Sequence, residues 1–283
     1  MFDKASSVEK PILYLLLCVI GFALIIPFIY MISIALTTPA TTVKMDFTIF
    51  PREFHWKNFL QVYQNKEILT YFKNSVILVV FAIIGQVLSS SFVAYGFSRL
   101  HGRGKNILFI ILLGTMMIPG QVMMIPQFII FSKLGWVNTL LPLIVPNFFA
   151  NAFNVFLLRQ FISGIPRELD EAAKIDGLGY FGIYWRIIMP LLTPILIAIG
   201  IFTFNTNWGM FMEPLIYIND VAKMPLALGV QIISATFSTN AIPDWNIVMV
   251  ASLLLTGPMI IVFFFGQKYM FQANINAGSA GIK

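Results

Sequence analysis

Cysteine occurs once, at Cys18, and histidine twice, at His55 and His101, in a chain of 283 residues. A lone cysteine excludes a disulfide within the chain and a cysteine-built metal cluster. The two histidines fall in loops far apart in the sequence, so neither is assigned as a metal ligand. No nucleophile, base and orienting group recur at catalytic spacing, which argues against an intramembrane enzyme. Charge is scarce as well: 11% of the residues are Asp, Glu, Lys or Arg, against 58% hydrophobic and 15% aromatic. With a mean hydropathy of +0.85 the chain carries too much apolar surface for water and belongs in a bilayer. Its excess of 18 basic over 12 acidic residues then anchors cytoplasmic loops and does not imply nucleic acid. A phosphate-cradling G-x-x-x-x-G-K-[ST] is also missing. The nearest stretch, Gly102 to Asn106, lacks the spacing and reads as a basic turn.

What is present is a series of apolar runs. About 20 apolar residues cross the hydrocarbon core as a helix, and six stretches reach that length: roughly 11–36, 75–98, 107–131, 140–161, 188–218 and 246–266. The first is longer than a signal-peptide core and no small-residue cleavage pattern follows it, so it is expected to stay. Short connections after the second span (Arg99, Arg103, Lys105) and around the fourth (Arg159, Arg167, Lys174, Arg186) are basic, whereas the one after the third offers only Lys133. Cytoplasmic loops over 99–106 and 162–187 follow, with both termini on that side and the 37–74 loop outside. The five basic residues of that outer loop (Lys44, Arg52, Lys57, Lys66, Lys73) are spread over a segment long enough for the rule to weaken. Prolines interrupt the third span at Pro119 and Pro126 and open the fifth at Pro190 and Pro194. Broken helices are tolerated in a membrane where they line a cavity or are buried in protein.

One cytoplasmic stretch is polar and ordered. Pro166 suits a first helical turn, Glu168, Asp170 and Glu171 sit at the positive end of the helix dipole, and Asp170 precedes Lys174 by four residues. Gly177 then supplies a left-handed cap to a helix of about three turns. Leu169, Ala172, Ala173 and Asp176 lie on adjoining faces, and the alanines permit close approach. Such a helix is either a solvated connection or a docking surface. The uncharged aromatic segment Tyr180 to Trp185 beside it favours docking.

These residues resemble a known family. Glu171-Ala172-Ala173, then Gly177 three residues on, then Ile187-Ile188-Met189-Pro190 after nine more, are similar to the EAA signature of permease subunits of bacterial ABC importers, with Met189 in place of Leu. Phe72-x-Asn74-Ser75, Ala94-Tyr95-x-Phe97-x-Arg99, Met117-Ile118-Pro119-x-Gln121, Leu134-Gly135-x-x-Asn138-Thr139, Ile175-Asp176-Gly177 and Trp208-x-x-Phe211-x-x-Pro214-Leu215 resemble the sugar-uptake, maltose-type branch, specifically its smaller six-span subunit. The resemblance covers about residues 70–270, and Gly209 and Glu213 depart from it. It implies an all-α membrane fold of six transmembrane helices with a cytoplasmic coupling helix, the type I ABC importer transmembrane fold. Residues 1–70 would form the N-terminal helix and external loop, 71–266 the permease core and 267–283 a cytoplasmic tail that reaches between ATPase subunits. It further implies that Glu168, Asp170, Glu171, Ala172, Ala173, Asp176 and Gly177 dock on an ATP-hydrolysing partner. The implied partners are a homologous permease subunit, two cytoplasmic ATPase subunits that hold ATP and Mg, and an extracytoplasmic solute-binding protein. The chain itself would bind no cofactor and catalyse nothing.

Candidate pathway residues are amides in apolar surroundings. Asn147, Asn151 and Asn154, spaced four and three apart, fall on one face of the fourth span. They either line a passage for a hydroxyl-rich substrate or bond a neighbouring helix. Asn205, Asn207 and Trp208 make a similar break in the fifth span, where Trp208 also fits an interface anchor. Glu213 is the one acid inside an expected span, near its external end. The expected function is therefore the membrane permease of an ATP-driven importer for a carbohydrate, an oligosaccharide above all. A polyol phosphate is the other cargo to weigh, and an ion-coupled secondary transporter the other mechanism, for which a single acid is thin support.

Overall fold

The computed structural model describes residues 9–38, 54–239 and 245–279, and all regular structure among them is helical. A continuous apolar run in hydrocarbon satisfies its backbone N–H and C=O groups within its own segment by forming a helix, and irregular backbone is left to places buried in protein or lining a cavity. In chain order the helices are α1 (Glu9–Ala35), α2 (Lys57–Gln64), α3 (Lys66–Arg99), α4 (Lys105–Gly114), α5 (Gly120–Lys133), α6 (Leu141–Ile144), α7 (Ala152–Ser163) and α8 (Glu168–Ile175). They continue with α9 (Tyr180–Ile183), α10 (Met189–Leu191), α11 (Thr193–Trp208), α12 (Met212–Tyr217), α13 (Leu226–Thr239) and α14 (Trp245–Ser279).

Among the described residues, four segments are long and apolar enough to cross a membrane: 10–35, 66–99, 141–163 and 245–269. Six do so when each of two bent pairs counts as one crossing. The third expected span, 107–131, is not one straight helix. Its two halves, Lys105–Met117 and Gly120–Lys133, meet at 100°. The break falls at Ile118, which is extended (ψ 116°) as a residue before proline prefers to be. Pro126, by contrast, lies inside α5 without ending it. The fifth span begins earlier than expected, at Tyr180, bends by 77° at Leu192 beside Pro190 and Pro194, and ends at Trp208, so that α12 is separate. The fourth is interrupted too. A 3₁₀ turn over Val145–Phe148 leads to extended backbone at Phe149 (ψ 124°) and Asn151 (ψ 131°) before α7 begins.

The described residues fall into two compact units, one of residues up to 68 with 230–254 and one of 69–229 with 255–279. In the first, the turn between α1 and α2 is closed by Asn58, whose Nδ2 donates to the carbonyls of Ala35 (2.9 Å) and Thr37 (2.8 Å). The apolar surface of α1 is unburied along its membrane window.

In the second unit α3 is the spine. Near its start Asn74 Nδ2 donates to the carbonyls of Ala222 and Met224, each at 3.0 Å, and Ser75 Oγ accepts from Leu226 N at 2.8 Å. At its end Arg99 holds the opposite loop, described below. Those two anchors are 25 residues apart (99 − 74). At 1.5 Å per residue they are separated by roughly 37 Å, more than a ~30 Å hydrocarbon core. Gly85, midway, admits the interrupted fourth span: a Cβ there would stand 2.8 Å from the Asn147 carbonyl oxygen. Small residues serve this way where membrane helices approach closely. The Gly135 to Thr139 turn is likewise structural. Gly135 and Asn138 have φ of 69° and 65°, and Asn138 Oδ1 accepts from the backbone N–H of Asn219 (3.2 Å) and Asp220 (2.8 Å).

Candidate functional site

At the Arg99 end of α3, a buried cluster built from Tyr95, Leu158, Ile162, Ile183, Tyr184 and Ile188 includes Ala173 of α8. The short helix is therefore seated on the bundle by one face. Ala173 is 3% exposed and Asp170 9%. Asp170 Oδ2 lies 3.0 Å from Arg99 Nε, and Arg99 Nη2 donates to the Ile165 carbonyl at 2.8 Å. The Nε approach is an ion contact without hydrogen-bond alignment, and Asp170 Oδ1 has no hydrogen-bond partner among the described residues. Further up α3, Tyr95 donates to the Tyr180 carbonyl at 3.1 Å and Ser91 shares a 2.8 Å hydrogen bond with Tyr184.

Two expectations change here. The helix has 8 residues, just over two turns, not three. Asp170 does not face Lys174; it turns inward, because a carboxylate out of water needs a charged partner and Arg99 supplies one. Lys174 stays outside, its Nζ 5.5 Å from the Tyr180 ring centroid. The rest of the expected docking set, Glu168, Glu171, Ala172 and Asp176, is exposed. Beside it lie Ile175, 87% exposed, and the exposed rings of Tyr180, Phe181 and Trp185. Gly177 has φ 83°. Leu178 N bonds the Ala173 carbonyl (2.9 Å) and Gly177 N that of Lys174 (3.0 Å), the paired bonds of a Schellman cap.

The second site is a cavity of about 620 Å³ in the same unit, formed where helices are broken. Its wall includes Thr115 and Ile118 at the α4–α5 break, Asn147 and Asn151 in the interrupted fourth span, and Thr206, Asn207, Glu213 and Tyr217 around the α11–α12 break. An amide network stiffens it. Asn154 Nδ2 donates to Gln86 Oε1 (3.1 Å), Asn147 Nδ2 donates to the Leu143 carbonyl (2.8 Å) and approaches Asn207 Oδ1 (3.4 Å), and Asn207 Nδ2 donates to the Thr203 carbonyl (2.8 Å). Asn151 caps α7, its Oδ1 accepting from Phe153 N (2.9 Å) and Asn154 N (3.3 Å).

Of the expected pathway residues, Asn147, Asn151, Asn207 and Glu213 line this cavity and Asn154 braces it. The asparagines are not a stripe on one helix, since the chain is extended between Asn147 and Asn154. Asn205 is half-buried outside the lining. Trp208 is packed away from it, 2% exposed, with Nε1 donating to the Leu255 carbonyl (2.7 Å) and its ring stacked on Phe204. Gln86, the centre of the network, was not among the sequence candidates, although a lone amide inside an apolar run is a signal in itself.

Broken membrane helices around a polar cavity, with a short, seated, charged helix at one end, define a membrane permease. The chain belongs to the binding-protein-dependent transport system inner membrane component family, whose match spans residues 86–274. It is 33% identical to the probable ABC transporter permease protein YurM of Bacillus subtilis (strain 168), over 89% of this chain and 85% of that one. It is 31% identical over the whole of both chains to the arabinooligosaccharides transport system permease protein AraQ of Halalkalibacterium halodurans. In fold it matches a crystal structure of a bacterial ABC transporter involved in the import of the acidic polysaccharide alginate, with a TM-score of 0.83, 23% identity, and coverage of 94% of this chain and 98% of that one.

Proposed function

We propose that this chain is one of two permease subunits of an ABC importer, and that it passes an oligosaccharide delivered by an extracytoplasmic binding protein. The carrying observation is α8: held inward by Asp170 and Ala173, capped at Gly177, and offering Glu168, Glu171, Ala172 and Ile175 outward. A helix fixed on one side and bare on the other is suited to transmit the push of a partner. Two cytoplasmic ATPase subunits, holding ATP and Mg, would dock there, and the coupling energy would be the difference in docking to their two states. Relatives named for sugars support a carbohydrate cargo. The test is to purify the chain from its native membrane with its bound partners. An ATPase that leaves when Glu171 is replaced by Lys supports the reading; a complex that hydrolyses no ATP contradicts it.

Orientation follows from the same reading. In a Cys18→Ser background, an impermeant thiol reagent applied to intact cells labels Lys57→Cys at once and Lys174→Cys only after permeabilisation. The reverse pattern would invert the topology. The tail is a third point. Helix α14 runs on to Ser279, past the apolar run that closes near Gly266. We expect deletion of residues 274–283 to reduce uptake while leaving assembly intact; undiminished uptake removes a role for the tail in contacting the ATPases.

A further inference from the structure

The cavity wall has a one-sided charge. Among the described residues that line it Glu213 is the one charged side chain, and none is Lys or Arg. The other polar groups are amides (Gln86, Gln127, Asn147, Asn151, Asn207) and hydroxyls, with Phe149 and Phe153 giving apolar faces. Amides donate and accept, as sugar hydroxyls do, and an ionised carboxylate accepts only, which suits a pair of neighbouring hydroxyls. A carboxylate or phosphate on the cargo would find no cation in this wall and would meet the carboxyl group of Glu213 instead. Membership of the family does not decide this, since uncharged and acidic sugars are both named among the relatives.

We infer that this chain's cavity is a binding surface for uncharged, hydroxyl-rich oligosaccharides and that Glu213 makes it discriminate against uronic-acid sugars and phosphorylated polyols. The inference rests on the permease reading and gives it a substrate class.

Two measurements test it. The first needs no sugar. In the assembled complex carrying Cys18→Ser and Thr206→Cys, a thiol in the cavity wall reacts with trimethylammonium and with sulfonate methanethiosulfonate reagents, each rate normalised to a small thiol in solution. The cationic reagent is expected to react roughly tenfold faster, a difference of about 1.4 kcal/mol. Glu213→Gln should bring the ratio close to one. Equal rates without that substitution, or no reaction with either reagent, overturn the inference. The second is ATP-driven uptake of arabinotriose beside trigalacturonate in proteoliposomes with the native binding protein. A neutral-to-acid uptake ratio moved roughly tenfold towards the acid by Glu213→Lys is the expected result. The same binding protein serves both forms, so its own preference cancels in the comparison. A neutral-to-acid uptake ratio that Glu213→Lys leaves unmoved overturns the discrimination assigned to Glu213. The expected labelling ratio with ATP-driven uptake of a non-sugar cargo, and of no sugar that the native binding protein holds, overturns instead the carbohydrate reading beneath it.

Discussion

In proteoliposomes that carry Gly177→Val, ATP hydrolysis and sugar uptake come apart: the complex assembles and reaches the membrane, but substrate no longer stimulates hydrolysis and uptake is lost. The cause is confined to the backbone. At φ 83° a β-branched residue is strained, at a cost of order 1–3 kcal/mol, whereas a Cβ at this position would meet nothing within 4 Å. Core packing is therefore untouched. The strain is relieved by unwinding the Schellman cap, which redirects α8 and the face it presents. The series should grade with tolerance of the left-handed region, Gly best, Asn next, then Ala, with Val worst. Glu171→Lys should uncouple by another route, since Glu171 is exposed and its replacement alters charge at the docking face and opposes the helix dipole without strain. Normal uptake and normal stimulation in Gly177→Val would defeat the docking role. Loss of the protein from the membrane would show that Gly177 serves folding.

Breaking the Arg99–Asp170 pair should cost more than any surface change in the loop. Their side chains are 5% and 12% exposed, so Arg99→Leu leaves a buried carboxylate with neither its ion contact nor a hydrogen bond at Oδ1. Losing one partner of such a pair costs about 3–5 kcal/mol, while replacing both by apolar residues is often close to neutral. Thermal unfolding of the purified complex should accordingly fall for Arg99→Leu and for Asp170→Leu, and recover most of the loss in the double variant. Uptake should stay low in the double variant, because α8 would then be seated by packing alone and slip against α3 under load. Single variants as stable as the parent would mean that the pair carries no stability. Full uptake in the double variant would mean that it carries no force.

What was legible in the sequence was local. Acids opening a helix, alanines within it and a glycine ending it specify α8 and its cap from neighbours alone, and the left-handed Gly177 follows from them. Apolar run length located the membrane segments. The inward turn of Asp170 was not legible, because its partner Arg99 lies on another helix and i,i+4 spacing offered Lys174 as a plausible substitute. Helix breaks were legible in kind but not in place. Pro119 and Pro126 look alike in sequence, yet only Pro119 follows a residue that leaves the helix, while α5 absorbs Pro126. The cavity gathers amides from α3, the fourth span and α11, and a single-helix stripe could supply only part of that set, so Gln86 went unnoticed. Trp208 shows the converse: an aromatic at a polar break suggests an interface, but here its N–H is satisfied by the Leu255 carbonyl inside the unit. Several family-like residues, Asn74, Ser75, Arg99 and Asn138 among them, prove to be fasteners of the fold.

The central claim is that transport through this chain is driven by nucleotide hydrolysis on partners docked at α8. Its most direct test is sugar uptake into proteoliposomes containing the assembled complex and binding protein, with ATP supplied on the α8 side, in the presence and absence of ionophores that collapse every ion gradient. The account predicts uptake that requires ATP, survives the ionophores and disappears with Gly177→Val. Uptake that proceeds without ATP and stops when the gradients collapse would contradict it.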